Sequence, residues 1–261
     1  MGIFSAEEVT ALIGEKLRGR ISVKTAEITG STNDDIKALA AGGSPEGTVM
    51  IAGEQTAGKG RLGRSFYSPK DAGLYMSVLL RPKIGTADAL AITTAAGASV
   101  AGALDAVCGT NSGIKWVNDI YIGARKVCGI LTEASLAPDG SIRYAVLGIG
   151  VNVTDRGFPD DIKNKAGAVG ADLSLRPAIA AKILECFFAY YDSFPSKEYM
   201  DEYRKRSVLT GKTIEYEQNG VKHTAFVEGI DDDAHLIVRS PNGNLKYLSS
   251  GEVNIVMNSR Q

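Results

Sequence analysis

The chain has 261 residues, 44% of them hydrophobic, enough to bury a substantial core in one large domain or in one large and one small. A formal net charge of −1 and a pI of about 6.2 exclude a global basic field for recruiting nucleic acid. Three widely spaced cysteines without a C-x-x-C, and only two histidines, argue against a disulfide framework, a zinc site or a His-based triad, and favour reduced thiols in a cytoplasmic protein.

The N-terminal stretch lacks the basic and apolar regions of a signal peptide, and no apolar run in the chain is expected to reach the length of a membrane span. Ser5-Ala6-Glu7-Glu8 reads as a capping box opening an amphipathic helix through Leu17. A short strand around Lys24–Thr29 follows, and then Gly30-Ser31-Thr32-Asn33 at the head of a helix running to about Ala41. Ser31 or Thr32 would serve well as an N-cap, and residue type favours that role. Three hydrogen-bonding side chains in succession also suit a small polar ring. Gly47–Gly53 reads as a buried strand delivering the next segment.

That segment, Gly53 to Tyr67, holds four glycines, the three cations Lys59, Arg61 and Arg64, and a single acid, Glu54. Glycines let a backbone reach positive φ and approach a ligand closely, and the cations place charge on the same small volume. Two readings stand: a mobile lid over an anionic ligand, or a solvated basic loop. Gly53 to Lys59 imitates a phosphate-loop motif, but Gly60 stands where the Mg²⁺-binding hydroxyl would be, and no helix follows to seat a phosphate.

Leu74–Arg81 is expected to be a strand ended by Pro82, and Thr86–Cys108 a long Ala- and Gly-rich core helix. Ile114–Ile122 reads as a strand interrupted by Asn118-Asp119. That pair could be a simple β-turn; Lys115 and Trp116 just before it favour a site instead. Lys126 opens another apolar strand. The turn Pro138–Ser141 leads into a strand over Arg143–Gly150, with Asn152 just past its end. Residues 154–175 look irregular, and helices follow at Pro177–Asp192 and Ser196–Ser207. From about Gly211 short strands alternate with turns, including Asn219-Gly220 as a primed hairpin turn, as in a small β-barrel module.

Four patches, in order and spacing, resemble the biotin protein ligases: Ser31-Thr32-Asn33; Glu54 to Arg64; Lys115-Trp116-Val117-Asn118-Asp119; and Arg125 to Leu131 with Glu133. Gly148-x-Gly150-x-Asn152 and the terminal strands agree. The resemblance implies an α+β fold: a mixed or antiparallel sheet with packed helices, like the class II synthetases, over 1–208, and a small C-terminal SH3-like β-barrel over 209–261. It implies joining of biotin to the α-phosphate of ATP as biotinyl-5′-adenylate, with Mg²⁺, followed by transfer to one lysine of a biotin carboxyl carrier protein. Lys126, Arg61 and Asp119 would act at the reacting centre, Lys126 on the biotin carboxylate. Ser31, Thr32, Asn33 and Gln55 would bind the ureido ring. Gly58, Lys59, Gly60, Arg61 and Arg64 would form the flap, with Phe66 against adenine. Lys115, Trp116, Asn118, Gly129 and Ile130 would complete the ligand site, and Asn152 would lie near the nucleotide phosphates or the metal.

Three departures from the family pattern stand out. Lys59 replaces the usual Arg of the flap, exchanging a bidentate fork for a point charge, and Val117 replaces the usual Pro of its patch. About thirty residues precede the match, roughly half of what a winged-helix DNA-binding domain needs, so the resemblance implies a ligase without repressor activity, acting as monomer or homodimer with neither nucleic acid nor membrane as partner. The competing readings are a lipoate protein ligase, which shares the fold and the adenylation logic, and a non-enzymatic module whose basic loop grips an acidic partner.

Overall fold

The computed structural model describes residues 4–85, 89–218 and 220–256. The expected beginning of the long helix at Thr86 and the Asn219 half of the hairpin turn lie outside the described residues.

Ser5 caps α1 (Ala6–Leu12) through the reciprocal box, its hydroxyl accepting from Glu8 N while the Glu8 carboxylate accepts from Ser5 N. The helix does not run on to Leu17. Ile13 turns extended, the Gly14 N–H donates to Glu185 Oε1 at 2.9 Å, and a separate short helix, α2 (Glu15–Arg18), follows. A long-range acceptor captures the amide that would have continued the helix. Val9, Ile13 and Leu17 are buried in the main core all the same.

The large sheet has seven strands: β1 (Ser22–Ala26), β2 (Thr48–Ala52), β3 (Gly73–Leu80), β4 (Ser112–Lys115), β5 (Asp119–Ile122), β6 (Arg125–Leu136) and β7 (Ile142–Asn152). Their spatial order is β1-β2-β3-β7-β6-β5-β4, with β1 and β2 parallel and every other pair antiparallel. The expected single strand over Ile114–Ile122 is two strands joined by a tight turn at Trp116–Asn118, so Asn118 ends the turn and Asp119 opens β5. The Trp116–Val117 peptide is cis. Asn152 ends β7 and pairs with Gly73 rather than lying beyond the strand.

Strand alternation divides the sheet between two covers. One face carries the main core beneath α4 (Leu90–Cys108) and α5 (Arg176–Asp192). By length and composition α4 is apolar enough to cross a membrane, contrary to expectation, with a mean hydropathy of 1.5 over its window. Here it is a core helix. Gly97 leaves room for Tyr203 of α6 (Tyr199–Lys205), whose ring would lie 3.2 Å from an added Cβ. The Tyr203 hydroxyl in turn donates to Val117 O, which fastens α6 to the β4–β5 turn.

The other face is covered only in part, by α3 (Thr32–Ala41), whose Ile36 and Ala40 pack on Leu79 and Val146. Beyond the α3 N-terminus the same face continues through Tyr75 and Ser77 of β3, Gly148 and Gly150 of β7, and Gly129, Leu131 and Glu133 of β6. That uncovered stretch is where the site forms.

The C-terminal part is a five-stranded antiparallel sheet in the order β11-β10-β9-β8-β12, from β8 (Thr213–Gln218), β9 (Val221–Ile230), β10 (Leu236–Arg239), β11 (Leu245–Leu248) and β12 (Val253–Ile255). It is tied to the large sheet beside the β4–β5 turn. Ile114 N donates to Arg206 O and Val208 N donates to Ile114 O on the segment leading into it, and the Trp116 indole N–H donates to Ala234 O at 2.8 Å.

Candidate active site

The floor of the site is bare backbone. Gly129 and Gly150 are direct cross-strand partners, and Gly148 lies opposite Leu131. A Cβ on Gly150 would stand 2.5 Å from the Phe66 ring, and one on Gly148 would stand 2.2 Å from Asn33 Oδ1. Both distances are too short for any real contact, so only glycine admits these side chains. The Phe66 ring therefore rests on the glycine pair, edge-on to Tyr75 at 6.5 Å between ring centres.

One wall is the head of α3. Ser31 occupies the N-cap position, yet its side chain makes no capping bond. Thr32 and Asn33 are also buried, and their side chains run away from the helix into a relay. Thr32 N and Oγ1 approach Gln55 Oε1 at 2.9 and 3.1 Å, and Thr32 Oγ1 lies 2.7 Å from Ser77 Oγ. The Ser77 hydroxyl donates to Asn33 Oδ1 at 2.6 Å, and Asn33 Nδ2 donates to Glu133 Oε2 at 2.7 Å. Lys37 closes the chain with its ammonium 2.7 Å from Glu133 Oε1. Gln55 Nε2 donates to Ser68 Oγ at the base of the flap. Simple capping does not account for this arrangement. Burial opposes ionisation of Glu133, but the bonds from Lys37 and Asn33 outweigh it and hold the carboxyl below its ordinary range.

The opposite wall is cationic. Lys126 Nζ lies 2.6 Å from Asp119 Oδ1, a buried oxygen that accepts no hydrogen bond from any other described residue. Arg61 Nη1 donates to Asn118 Oδ1 at 2.8 Å, and Asn118 Nδ2 donates to Ile130 O. Lys115 is more than half enclosed beside the Tyr121 ring. Its burial lowers its affinity for a proton, against the pull of Asp119 and Glu252. An anion entering here would relieve that cost.

The flap is ordered by its own backbone. Gly60 N donates to Arg64 O, Phe66 N to Gly58 O, and Gln55 N to Ser68 O. At its tip Leu62 adopts a left-handed conformation (φ 56°) and is 77% exposed. Each flap cation already has a carboxylate or amide partner: Lys59 with Asp34, Arg61 with Asn118, and Arg64 with Glu252 in a bidentate pair. Glu252 belongs to the C-terminal part and lines the cavity with Gly251 and Val253.

Most of the residues expected from the sequence meet around this one cavity. Ser31, Thr32, Asn33 and Gln55 line one end, and Lys59, Gly60, Arg61, Arg64 and Phe66 roof it. Lys115, Trp116, Asn118 and Asp119 line the other end, with Lys126, Gly129 and Ile130 along β6. Two expected residues lie outside the lining. Gly58 is a structural position, since a Cβ there would stand 2.4 Å from Phe66 O. Asn152 is buried, and its amide donates to Gly167 O at 2.9 Å, which pins the 154–172 segment. The lining also includes Leu62, Ser65, Met76, Leu131 and Glu252, which the sequence did not single out. Glu252 carries no local signal, because its partner Arg64 is 188 positions away.

A recess lined by hydrogen-bonding side chains, an adjoining group of cations and a glycine floor meet in this one cavity. The Biotin/lipoate A/B protein ligase family matches residues 26–152, and the chain belongs to that family. Within it the chain stands with the biotin protein ligases. It is 32% identical to the biotin–[acetyl-CoA-carboxylase] ligase of Paracoccus denitrificans, over 82% of this chain and 93% of that one. It is 31% identical to the bifunctional ligase/repressor BirA of Bacillus spizizenii, over 86% of this chain and 71% of the relative. The biotin protein ligase of Aquifex aeolicus, solved in complex with biotin and ATP, superposes with a TM-score of 0.76 at 26% identity, over 91% of this chain and 99% of that one.

Proposed function

We propose that this protein activates biotin with ATP to biotinyl-5′-AMP and transfers the biotinyl group to one lysine of a biotin carboxyl carrier protein. The observation that carries the reading is the placement of two unlike half-sites in one cavity: the Thr32–Asn33–Gln55 relay at one end, and Lys126, Lys115 and Arg61 at the other. A cyclic urea has donors and acceptors that must each be met once it is buried, and that end of the cavity brings the Ser31 hydroxyl together with the Thr32 and Gln55 oxygens. A carboxylate brought up to a triphosphate repels it, and fixed cations offset that repulsion.

The residues take roles that follow from position. Lys126 holds the biotin carboxylate against the α-phosphate and stabilises charge as the acyl–phosphate bond forms and pyrophosphate leaves. Asp119, paired with Lys126, orients it and afterwards faces the incoming carrier lysine. Arg61 and Arg64 close the flap over the mixed anhydride and keep water from it, and Phe66 packs against the adenine. Lys59 supplies a further charge near the flap base. Mg²⁺ is implied by the chemistry. Among the described residues no three acidic, His or Cys side chains converge on one point, so the donor set fits an ion carried by the nucleotide with Asp119 as the facing carboxylate. Bound there, it would neutralise phosphate charge.

Residues 1–208 would form the catalytic domain, of class II synthetase type, and 209–261 an SH3-like barrel that completes the cavity through Glu252. A cytoplasmic setting suits the ATP requirement and the three free cysteines. We attach no repressor activity to the described residues, because α1 and α2 bury Val9, Ile13 and Leu17 in the ligase core. Lipoate would make little use of the relay, and separate incubations with the two acids distinguish them.

The test is incubation with ATP, Mg²⁺, biotin and a carrier domain, read by mass spectrometry. The expected result is a gain of one biotinyl group on the carrier. A gain with lipoate alone, or none with either acid, rejects the proposal.

A further inference from the structure

We propose that Glu133, which lies outside the cavity lining, is a positioning residue that fixes the direction of hydrogen bonding inside it, so that Thr32 and Gln55 present acceptors to the ureido N–H groups of biotin. The inference rests on the ligase reading above and adds to it the origin of that recognition.

The argument is a count of hydrogens. Asn33 is 4% exposed and Ser77 is fully buried, so their polar atoms must be met by protein. An ionised carboxylate only accepts and an ammonium only donates. With Lys37 Nζ 2.7 Å from Glu133 Oε1, Glu133 stays ionised, and Asn33 must turn its Nδ2 towards Oε2. Asn33 Oδ1 then faces Ser77, whose single hydroxyl hydrogen is spent on it at 2.6 Å. Ser77 Oγ can meet Thr32 only as an acceptor, so the Thr32 hydrogen points to Ser77 at 2.7 Å rather than to Gln55 Oε1 at 3.1 Å. The remaining lone pairs of Thr32 Oγ1 and of Gln55 Oε1, the latter already holding Thr32 N–H, belong to the cavity that both residues line. A ring N–H is the donor that matches them. The polarity is thus set by an ion pair on the far side of Asn33.

A neutral amide at position 133 removes the constraint, because it can donate as well as accept. Asn33 can then rotate, Ser77 can donate to Thr32, and the Thr32 hydrogen can turn to Gln55. Every buried group remains satisfied, but Gln55 Oε1 then holds both the N–H and the hydroxyl hydrogen of Thr32 and has no lone pair left for the cavity.

Glu133→Gln is therefore expected to fold with an unchanged unfolding midpoint and to raise KM for biotin roughly five- to tenfold, the worth of one hydrogen bond. KM for ATP and kcat of adenylate formation are expected to stay within about twofold of wild type. In a Ser77→Ala background the relay is already cut, so Glu133→Gln should add nothing further to KM for biotin. A Glu133→Gln protein that fails to fold, or raises both KM values together, overturns the inference, as does an additive effect with Ser77→Ala. A wild-type protein that forms no biotinyl adenylate overturns the ligase reading and the inference with it. A working wild type with a silent Glu133→Gln overturns the inference alone.

Discussion

The two ends of the cavity are built on different principles. At the relay end, Thr32, Asn33, Ser77 and Glu133 sit on α3, β3 and β6, and their bonds run between rigid elements, with Thr32, Asn33 and Ser77 buried. At the cationic end, the flap residues hang on a loop, and their partners belong to three separate places: Asp34 on α3, Asn118 in the β4–β5 turn, and Glu252 just before β12. Buried, fully satisfied hydrogen bonds specify one geometry, whereas half-exposed ion pairs exchange partners at small cost. The difference separates recognition from capture. One end can discriminate before anything moves, and the other can open for ATP and close on the product.

The sharpest break in that comparison is removal of Lys126, which belongs to the cationic end but sits on a strand. Lys126→Ala is expected to cut single-turnover adenylate formation by about 10²–10³-fold, the range for losing one donor aimed at developing charge. Normal turnover would remove Lys126 from the reacting centre. Next comes the glycine floor, which both ends share. Gly148→Ala places a methyl group where Asn33 Oδ1 now lies, and the clash should cost about 1–3 kcal/mol in chemical denaturation and raise KM for biotin more than KM for ATP. Equal effects on both substrates would show that the ends are not separately built.

Arg61→Ala tests the flap itself. The expected outcome is adenylate that still forms but escapes to solvent about tenfold faster, followed by release of biotinyl-AMP into the filtrate, because the lost contact is a partly exposed charged one. The smallest effect is expected from the clasp between the two parts of the chain. Its bond to Arg64 holds the Glu252 carboxyl below its ordinary range. A carboxyl with a lowered folded value contributes its stability above the unfolded value and loses it as pH falls through the folded one. Glu252→Gln should therefore speed amide exchange at Gly60 about two- to fivefold at neutral pH. Wild type and variant should converge once the pH drops below the range of that carboxyl. Persisting protection in acid would mean that the flap needs no clasp.

What the sequence revealed, and what it hid, follows the same division. The Ser5 capping box, the glycine-rich flap and most strand boundaries were legible because each depends on neighbours in the chain. Lys126 and the Lys115–Asp119 patch were legible through their resemblance to a family. The break after Leu12 was not, because it depends on Glu185, 171 positions away from Gly14. Ser77 gave no signal either: within an apolar strand it reads as an ordinary core hydroxyl until Asn33 and Thr32 are folded onto it. Asn118-Asp119 posed a false choice between a turn and a functional pair. The turn is what places Asn118 under Arg61 and Asp119 beside Lys126.

The apolar character of α4 has a consequence for how the chain is made. This helix leaves the ribosome well before α5, the partner with which it shares its most extensive packing, has been synthesised. Until then a segment greasy enough to enter a bilayer has the strands of the large sheet to lean on but no helix to cover its outer side. Nascent chains stalled between the two helices should therefore bind holdase chaperones or membranes more avidly than chains stalled after Asp192.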